Sequence, residues 1–378
     1  MRAVAAPNNS GRPTSIVIAG GHSAGHIEPA MNVADEIRRL DPATVITALG
    51  TVRGLDTTLI PARGYPLELI PPVPLPRTLS LELLRTPGRV RAAVAAAGEV
   101  LDRVRADVVV GFGGYVAVPA YLAARSRKIP IVVHEANARP GVANRLAARL
   151  TTHVYTASAS VPLAHAQPIG IPLRPAITAL DRAAARPAAL AGFGLSPDRP
   201  TLLVTGGSQG ARRLNEAVLG AQRQFADAGI QVLHIAGGKN PMSAPARAGG
   251  EPTYVVLPYL DTMAAAYAAA DFVLCRSGAM TCAELTAVGL PAAYVPLPLR
   301  GGEQRLNAEP IVAASGGLLV ADAECTPQWV ASQVIGVLTD PPRLSAMAAA
   351  ASQAGARGAG AVLAEKVLEV AREHNTRS

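Results

Sequence analysis

The feature that most constrains the fold is a regular alternation of short aliphatic runs with longer alanine-rich segments. The runs lack period-two alternation, which indicates strands buried on both faces. The alanine-rich segments also contain Leu, Arg and Glu, so the pattern predicts β-α-β units that form a parallel sheet covered by helices. The predicted strands are residues 15–19, 44–49, 107–110, 129–133 and 153–157, and then 201–205, 231–236, 253–257, 271–275, 292–296 and 318–320.

A strand, a glycine turn and a helix start occur together twice, as SIVIAGGHSAGH near residue 20 and as TLLVTGGSQGARRLN near residue 206. The chain has 378 residues, more than the roughly 250–300 that one hydrophobic core supports. We therefore predict two doubly wound α/β domains, with a proline-rich linker at 168–177. The expected divisions are a flexible lead over 1–14, domains over 15–172 and 173–343, and a C-terminal segment over 344–378. Periodicity predicts that 344–372 is helical, with a break at the prolines 341–342 just before it, and the pattern leaves its packing partner open.

The charge balance favours anionic partners. Lys and Arg total 35 against 27 Asp and Glu, a formal net charge of +8, so phosphates, nucleotides or an acidic membrane surface are expected partners. Aromatic residues are only 3% of the chain, which disfavours nucleic-acid binding by base stacking. The three cysteines are too few and too scattered for a disulfide framework or a zinc cluster.

Two further absences from the sequence shape the expectations. There is no Asp-x-Asp pair and no His and carboxylate cluster with metal spacing, so we expect no cofactor or metal, and a diphosphate stabilised by helix dipoles and hydroxyls. No run approaches the roughly 18 apolar residues of a transmembrane helix, and the opening MRAVAAPNNSGRPTS lacks the apolar centre of a signal peptide. A location inside the cell follows as the expectation.

The first glycine turn, residues 20–26, suits an anion or a sugar hydroxyl because backbone N–H groups at a helix start point outward. It is not the dinucleotide fingerprint, because His22 stands where that pattern requires glycine. The alternative is a turn that only packs the strand tightly on the helix. His26 follows at the helix start and is a candidate general base, or a helix residue that only hydrogen-bonds locally.

The second glycine turn, residues 206–211, offers the hydroxyl of Ser208 and backbone donors to a phosphate or ribose. A second candidate site for a phosphate or ribose follows the predicted strand 271–275. If a helix begins near Gly278, its first N–H groups face a diphosphate. Glu284 then lies one turn in and accepts ribose hydroxyls; the alternative is a favourable charge near a helix start.

Residues 74–91 mix leucines with arginines and contain few acids. Such a patch suits an anionic bilayer, with leucines in the headgroup boundary and arginines on lipid phosphates. The alternative is an ordinary helix whose leucines face the core. The candidate membrane patch consists of Arg77, Leu79, Leu81, Leu84, Arg85 and Arg89.

Taken together, the motifs of residues 15–340 resemble those of the MurG family of glycosyltransferases. This family attaches N-acetylglucosamine from UDP-N-acetylglucosamine to the 4-hydroxyl of a lipid-linked muramyl-pentapeptide in peptidoglycan synthesis. The resemblance implies the GT-B fold, with an acceptor domain first, a UDP-sugar domain second and a central cleft, and it implies inverting transfer. It also implies that the C-terminal helix returns to the first domain. The motifs are GGHSAGHIEPA, GFGGYVAVPA, VVHEAN, GIPLRP, VTGGSQGARRLN, CRSGAMTCAEL and EQRLNAE.

The resemblance also assigns roles to residues of this sequence. His26 is implied as the catalytic base, and Tyr115 as a residue on the acceptor side. Positions in the first domain that reach the donor sugar or the acceptor are Ser23, Ala24, Gly25 and Asn137. The remaining implied donor contacts are Arg174, Ser208, Leu260 for uracil, Ala279, Met280 and Thr281 for the diphosphate, Glu284 for ribose, and Gln304 for sugar hydroxyls.

The implied partners are the UDP-sugar, the lipid-linked acceptor and anionic lipids, at the cytoplasmic face of the plasma membrane, together with proteins of cell-wall synthesis and division. Nucleic acid is not among them. Alternatives are a UDP-N-acetylglucosamine 2-epimerase, which has the same two-domain architecture, and a non-catalytic UDP-sugar sensor.

The chain departs from the usual family pattern at three positions: His22 replaces glycine, Ser23 replaces threonine and Ala136 replaces glutamine. A histidine in a glycine turn predicts backbone strain or a narrower acceptor pocket.

Overall fold

A computed structural model of the chain describes residues 12–72, 82–207, 210–298 and 301–377. The described chain divides into two compact units. The first extends to Leu173 and resumes at Arg357, and the second comprises Arg174–Ala356. The change from one unit to the other falls within the proline-rich segment 168–177.

The first unit contains a parallel sheet in the order β3-β2-β1-β4-β5-β6-β7 over its described residues. Its strands are β1 (Ser15–Gly20), β2 (Val45–Gly50), β3 (Leu67–Leu69), β4 (Val108–Gly113), β5 (Ile131–Glu135), β6 (Val154–Thr156) and β7 (Ala166–Pro168). The helices that alternate with them are α1 (Ala24–Leu40), α2 (Asp56–Ala62), α3 (Glu82–Arg103), α4 (Ala117–Ser126) and α5 (Val142–Ala147).

The second unit repeats this architecture, with a parallel sheet in the order β10-β9-β8-β11-β12-β13 over its described residues. Its strands are β8 (Thr201–Thr205), β9 (Gln231–Ile235), β10 (Tyr254–Leu257), β11 (Phe272–Cys275), β12 (Ala292–Tyr294) and β13 (Gly317–Leu319). Its first helices are α6 (Pro175–Thr178), α7 (Arg182–Gly192), α8 (Arg212–Gly220), α9 (Gln222–Asp227), α10 (Met263–Ala269), α11 (Ala279–Ala287) and α12 (Glu303–Ala313). A 3₁₀ turn (Asp322–Glu324) then precedes α13 (Pro327–Trp329), a π-helical turn (Val330–Val334), α14 (Ile335–Leu338) and α15 (Pro341–Gln353).

Strand β1 is buried on both faces of the first sheet because its side chains are mainly aliphatic. In β1, Ile16 and Ile18 enter one core, whereas Val17 and Ala19 enter the core on the opposite face. At about 25 cal/mol per Å² of apolar surface, burial of both faces provides the main stabilisation of such a layer. Burial on both faces requires apolar side chains at successive positions, so such a strand is a continuous aliphatic run in the sequence.

The C-terminal helix α16 (Ala359–Arg377) packs on the first unit. Its residues Leu363, Val367 and Leu368 lie in the same core as Ile16 and Ile18. The helix therefore completes the cover on one face of the first sheet, and it explains why residues from Arg357 onwards belong to that unit.

The predicted helical segment over 344–372 is divided between two helices, α15 and α16. The prolines at 341–342 begin α15 rather than precede it, because proline fits the first helical position and the Asp340 carboxylate accepts from Arg343 N at 3.1 Å. The segment then breaks between α15 and α16, at residues 354–358, which include Gly355 and Gly358. The second unit thus extends to Ala356 instead of 343.

The strand prediction missed two short strands, β3 and β7, for one reason. Both are three-residue strands at the ends of the sheet. An edge strand needs little apolar sequence, so LEL and AQP carry no aliphatic run by which to recognise them.

The order of strands reverses direction once in each sheet. From β1 the chain proceeds outward to β2 and β3, and then crosses back to β4 on the other side of β1. The second sheet has the same reversal between β8 and β11. Helices leave such a pair of strands toward opposite faces, so a crevice forms at the carboxyl edge, where open α/β sheets bind ligands.

A buried histidine on β9 makes the stability of the second unit depend on pH. His234 Nε2 lies 3.0 Å from Asn215 Oδ1, and His234 Nδ1 lies 2.8 Å from the Tyr254 hydroxyl. The Asn215 amide nitrogen donates to Ala236 O, so Oδ1 must accept and the His234 proton resides on Nε2. Burial lowers the pKa of His234 from 6.5 to about 4.

Because the unfolded chain binds this proton at higher pH than the folded chain, acid destabilises the second unit. We expect His234 to contribute about 2 kcal/mol less to the free energy of unfolding at pH 5 than at pH 7. The variant His234→Gln, whose amide offers a donor and an acceptor at every pH, should remove this part of the pH dependence. Urea unfolding at the two pH values measures it, and an identical pH dependence in both proteins would contradict the prediction.

Candidate active site

The glycine turn after β1 is folded around a buried carboxylate. Asp56, at the start of α2, accepts from the backbone N–H groups of His22 and Thr51, the latter at 2.8 Å. A Cβ added at Gly21 would lie only 2.9 Å from Asp56 Oδ2, so glycine is required there for close approach. Asp56 therefore fixes the backbone that leads into α1.

His26 lies in the first turn of α1 and is oriented by the residue that begins the helix. Ser23 is the N-cap, and its hydroxyl lies 2.9 Å from His26 Nδ1. If Nδ1 carries the proton and donates it to the Ser23 hydroxyl, the imidazole lone pair lies on Nε2. That tautomer is the one able to accept a proton from a substrate hydroxyl.

The loop after β4 closes against the first turn from the neighbouring strand. Gly113 and Gly114 both have positive φ angles, 91° and 80°. A Cβ at Gly113 would lie 3.3 Å from His26 Nε2, and one at Gly114 would lie 2.7 Å from Gly21 O. Glycine at these two positions lets the backbone approach the imidazole and the first turn.

His22 shows the strain that its position predicts. Its φ is 75°, the left-handed region that glycine adopts freely and other residues rarely do. The imidazole is exposed and packs edge-on against the Tyr115 ring, with centroids 5.8 Å apart and an interplanar angle of 77°. His22 thus joins the first loop to the residue predicted on the acceptor side.

A buried carboxylate at the end of β5 organises the third loop. Glu135 accepts from Asn137 N at 2.9 Å, from Gly141 N at 3.0 Å and from the Asn144 amide at 3.0 Å. Burial raises the pKa of the Glu135 carboxyl, while these hydrogen bonds lower it. Asn144 in turn accepts from the buried Tyr121 hydroxyl at 2.9 Å. The position of Asn137 is therefore set by Glu135.

The segment that leads to the second unit is anchored by two buried side chains of the first. His134 Nε2 lies 2.8 Å from Gly170 O, and the Asn32 amide donates to Pro172 O at 3.0 Å. Burial lowers the pKa of His134 to about 4, so the imidazole is neutral and donates to this carbonyl. Two residues further on, Arg174 is the N-cap of α6.

In the second unit, the N-terminus of α11 lies at the strand reversal between β8 and β11. Gly278 is its N-cap with an extended backbone, and no side-chain cap is formed within the described residues. The first N–H groups of a helix have no intrahelical partner and carry the positive end of the dipole. The backbone of Ala279, Met280 and Thr281 therefore suits an anion such as a diphosphate.

The loop before α11 is held by an ion pair and an amide. Arg276 Nη1 lies 2.6 Å from Asp322 Oδ1 and donates to Val295 O at 3.1 Å. The Asn307 amide, on α12, donates to Ser277 O at 3.2 Å. The same helix carries Gln304, whose side-chain oxygen accepts from Leu297 N at 2.9 Å.

The structure brings most of the predicted residues into two groups, one in each unit. In the first unit, the residues follow three adjacent strands, β1, β4 and β5. In the second unit, the residues on α11 and α12 are linked through the loop at Ser277, whereas Leu260 follows the edge strand β10, two strands from β8. The first group is Ser23, Ala24, Gly25, His26, Tyr115 and Asn137, and the second is Ala279, Met280, Thr281, Glu284 and Gln304.

Some predicted residues lie outside the described chain. Ser208 is one of them, and so are Arg77, Leu79 and Leu81 of the candidate membrane patch. The side chains of Leu84 and Arg85 are likewise not described, although α3 begins at Glu82; Arg89, on the same helix, is half-buried. Farther along α3, its apolar residues Ala97 and Leu101 enter the core.

Sequence reasoning overlooked the residues that position the site. Asp56, Glu135 and Tyr267 were not singled out, although each bonds directly to a loop or a residue of the two groups, and neither was Asn144, which bonds to Glu135. Glu135 carried a usable signal, because an acidic residue directly after a buried strand lies at the carboxyl edge of the sheet. Tyr267 lies in the alanine-rich helix α10 and carried none.

The described residues lack two features. No group of three or more His, Cys, Asp or Glu side chains there is arranged to hold a metal ion. None of the described helices is both long enough and apolar enough to cross a membrane.

The chain is similar to known glycosyltransferases along most of its length. The N-terminal domain of glycosyltransferase family 28 matches residues 16–156, and the C-terminal domain of that family matches residues 201–363. A Streptomyces avermitilis protein named UDP-N-acetylglucosamine--N-acetylmuramyl-(pentapeptide) pyrophosphoryl-undecaprenol N-acetylglucosamine transferase is 58% identical over 360 residues, 95% of this chain and 99% of the relative. The chain belongs to the MurG family of glycosyltransferases.

Solved structures show the same relationship. The crystal structure of Acinetobacter baumannii MurG matches with a TM-score of 0.76 and 26% identity, over 94% of this chain and 99% of that one. The two parallel-sheet units are thus the GT-B fold of the MurG family, as the sequence resemblance implied. A Neisseria meningitidis UDP-GlcNAc 2-epimerase bound to UDP-GlcNAc matches with a TM-score of 0.62 at 14% identity, over 94% of this chain and 100% of that one, which shows a shared fold alone.

The Gly113 contact gives a test of the first-unit site in this MurG family member. In Gly113→Ala the added methyl meets His26 Nε2 and strains a backbone at φ 91°, so we expect glycosyl transfer to fall at least about tenfold. Binding of UDP should stay within about twofold, because the second-unit group does not change.

Gly64→Ala is the matched control. Gly64 also has a positive φ, 72°, but a Cβ there would meet nothing within 4 Å. Both variants should lose about 1–2 kcal/mol of stability from backbone strain, and only Gly113→Ala should lose transfer. Equal transfer rates in the two variants would show that the contact with His26 is unimportant.

Proposed function

We propose that this chain transfers N-acetylglucosamine from UDP-N-acetylglucosamine to the 4-hydroxyl of the muramyl residue of an undecaprenyl-pyrophosphoryl muramyl-pentapeptide. The observation that carries the proposal is the 58% identity, over nearly the full length of both chains, to a protein named for this transfer. The two separate groups of residues support it, since one suits a hydroxyl acceptor and the other suits a nucleotide diphosphate.

The first unit supplies the acceptor chemistry. His26 takes the proton of the acceptor hydroxyl on Nε2, while Nδ1–H donates to the Ser23 hydroxyl and holds the ring. Tyr115 is 41% exposed and Asn137 is fixed by Glu135, so both are available to orient the acceptor or the donor sugar. Gly25, which is exposed, and Ala24 begin α1 beside them.

The second unit supplies the donor chemistry. The first turn of α11 stabilises the diphosphate, and Glu284 accepts the ribose hydroxyls. Ser208 is assigned to the nucleotide and its diphosphate, Leu260 to uracil, Gln304 to sugar hydroxyls and Arg174 to the nucleotide. These assignments rest on the family resemblance.

The reaction inverts the configuration at the sugar C1. The bond from C1 to the diphosphate oxygen breaks with its electron pair on the diphosphate, and the acceptor oxygen bonds to C1 from the opposite face to give a β(1→4) link. The acceptor proton goes to His26. Stabilisation of the departing diphosphate is the larger contribution, because the dipole of α11 is fixed before the charge develops.

The acceptor is lipid-linked, so the enzyme must work at a membrane surface. We assign it to the cytoplasmic face of the plasma membrane as a peripheral protein, with the leucine and arginine patch of residues 77–89 on anionic lipids. The excess of arginine over acidic residues supports that contact. Association with proteins of cell-wall synthesis and division is part of the same proposal.

A UDP-N-acetylglucosamine 2-epimerase is the alternative, and it is the weaker one because only the fold is shared with the epimerase structure. An epimerase needs no acceptor. Protein incubated with UDP-N-acetylglucosamine alone therefore separates the two activities, since only an epimerase produces a new sugar nucleotide in that tube.

The roles of His26 and Ser23 can be measured directly with the lipid-linked acceptor. We expect His26→Ala to lower kcat by about 10²–10⁴-fold, the usual effect of losing a general base. Ser23→Ala should lower kcat by about tenfold, because the histidine ring and its tautomer are no longer held. The KM for UDP-N-acetylglucosamine should change little in both. Wild-type protein without transfer activity would refute the proposed function, and a fully active His26→Ala would refute the role of His26 alone.

The absence of an Asp-x-Asp pair from the sequence gives a separate prediction. Donor binding by helix N–H groups and hydroxyls requires no divalent cation, so the transfer rate should be unchanged in excess EDTA. A loss of turnover that added Mg²⁺ or Mn²⁺ restores would contradict this account of donor binding.

A further inference from the structure

We infer that Tyr267 is a positioning residue for the donor nucleotide, which it serves by holding the Glu284 carboxylate for the ribose hydroxyls. The inference rests on the proposed function, in which Glu284 accepts those hydroxyls. The Tyr267 hydroxyl donates to Glu284 Oε2 at 2.7 Å. Hydrogen bonds to an ionised carboxylate are among the strong ones in proteins.

The two residues approach each other from different helices. Tyr267 lies on α10, and its side chain is only 2% exposed. Glu284 lies in the second turn of α11 and is half-buried. The tyrosine therefore reaches the carboxylate from the interior of the unit. A carboxylate has about four acceptor positions on two oxygens, so accepting this hydroxyl is compatible with accepting a ribose diol.

The tyrosine is itself rigidly placed. Arg182, on α7, donates through Nε to Tyr267 O at 2.9 Å and through Nη1 to Gly289 O at 3.2 Å. Gly289 follows the end of α11, so one guanidinium links the ends of the two helices that carry Tyr267 and Glu284. A glutamate side chain has three rotatable bonds, and fixing one of its oxygens removes rotamer freedom that ligand binding would otherwise have to remove.

A second buried tyrosine provides a matched control. Tyr294, on β12, is also fully buried, and its hydroxyl has no hydrogen-bond partner among the described residues. Removing either hydroxyl leaves a phenyl ring of the same size in the same core. Tyr267→Phe and Tyr294→Phe therefore differ in whether the lost hydroxyl touched Glu284.

The test is the discrimination between UDP and 2′-deoxy-UDP, measured by calorimetry on the full chain. The discrimination ratio is the Kd of 2′-deoxy-UDP divided by the Kd of UDP. We expect Tyr267→Phe to lower this ratio about five- to tenfold, and Tyr294→Phe to leave it unchanged. In transfer assays, Tyr267→Phe should raise the KM for UDP-N-acetylglucosamine by a similar factor and change kcat less than about twofold. Thermal unfolding of both variants checks that the fold is retained.

A double-mutant cycle with Glu284→Gln decides whether Tyr267 acts through the carboxylate. We expect Glu284→Gln to lower the ratio, and Tyr267→Phe to lower it no further in that background. Additive effects of the two substitutions, or a wild-type ratio in Tyr267→Phe, would overturn the inference. A wild-type ratio in Glu284→Gln would overturn both the inference and the assignment of ribose to Glu284. The Kd measurements need no acceptor. Their outcome is therefore independent of the transfer assay that tests the proposed function.

Discussion

The structure depends on one constraint: parallel strands end at the same edge of a sheet, and the helices that follow them leave toward opposite faces at a single place. In the first unit that place is between β1 and β4, and in the second it is between β8 and β11. Backbone N–H groups at the helix starts have no partner within the helix. Each sheet therefore presents polar backbone at its carboxyl edge, and the candidate site residues lie there.

Buried charged and polar side chains turn this general edge into a particular geometry. Asp56 holds the first glycine turn, and Glu135 holds the loop that carries Asn137. A buried carboxylate is costly unless its oxygens are hydrogen-bonded. The loops that supply those hydrogen bonds are consequently restricted to one arrangement. The same logic applies to Tyr267, whose buried hydroxyl is satisfied by Glu284.

His22 illustrates how a departure from the usual family sequence is accommodated. Its backbone takes the left-handed conformation that a glycine turn requires, at a cost of about 1–2 kcal/mol for a residue with a side chain. The ring is exposed and lies against Tyr115. The turn therefore keeps the backbone conformation of a glycine, and the added imidazole lies on the side of the site assigned to the acceptor.

The sequence by itself determined the fold class and the location of the two strand, glycine-turn and helix motifs. Continuous aliphatic strands and glycine turns followed by helix starts are local patterns, and they suffice for a doubly wound sheet because strand burial and helix capping are decided within a few residues. They also placed His26 and Ala279 at helix starts and Glu284 one turn into its helix, which the structure confirms. The edge strands β3 and β7 had no aliphatic run and were missed.

The tertiary structure alone decided which side chains hold the site. Asp56 bonds to a turn 34 positions earlier in the chain, and Tyr267 bonds to a carboxylate 17 positions later. It also placed the C-terminal helix on the first unit, a packing that the residue pattern had left open, and the leucines of this helix join the core of β1. Contacts of this kind depend on how helices and strands from distant parts of the sequence pack together, and no local pattern of residues encodes that packing.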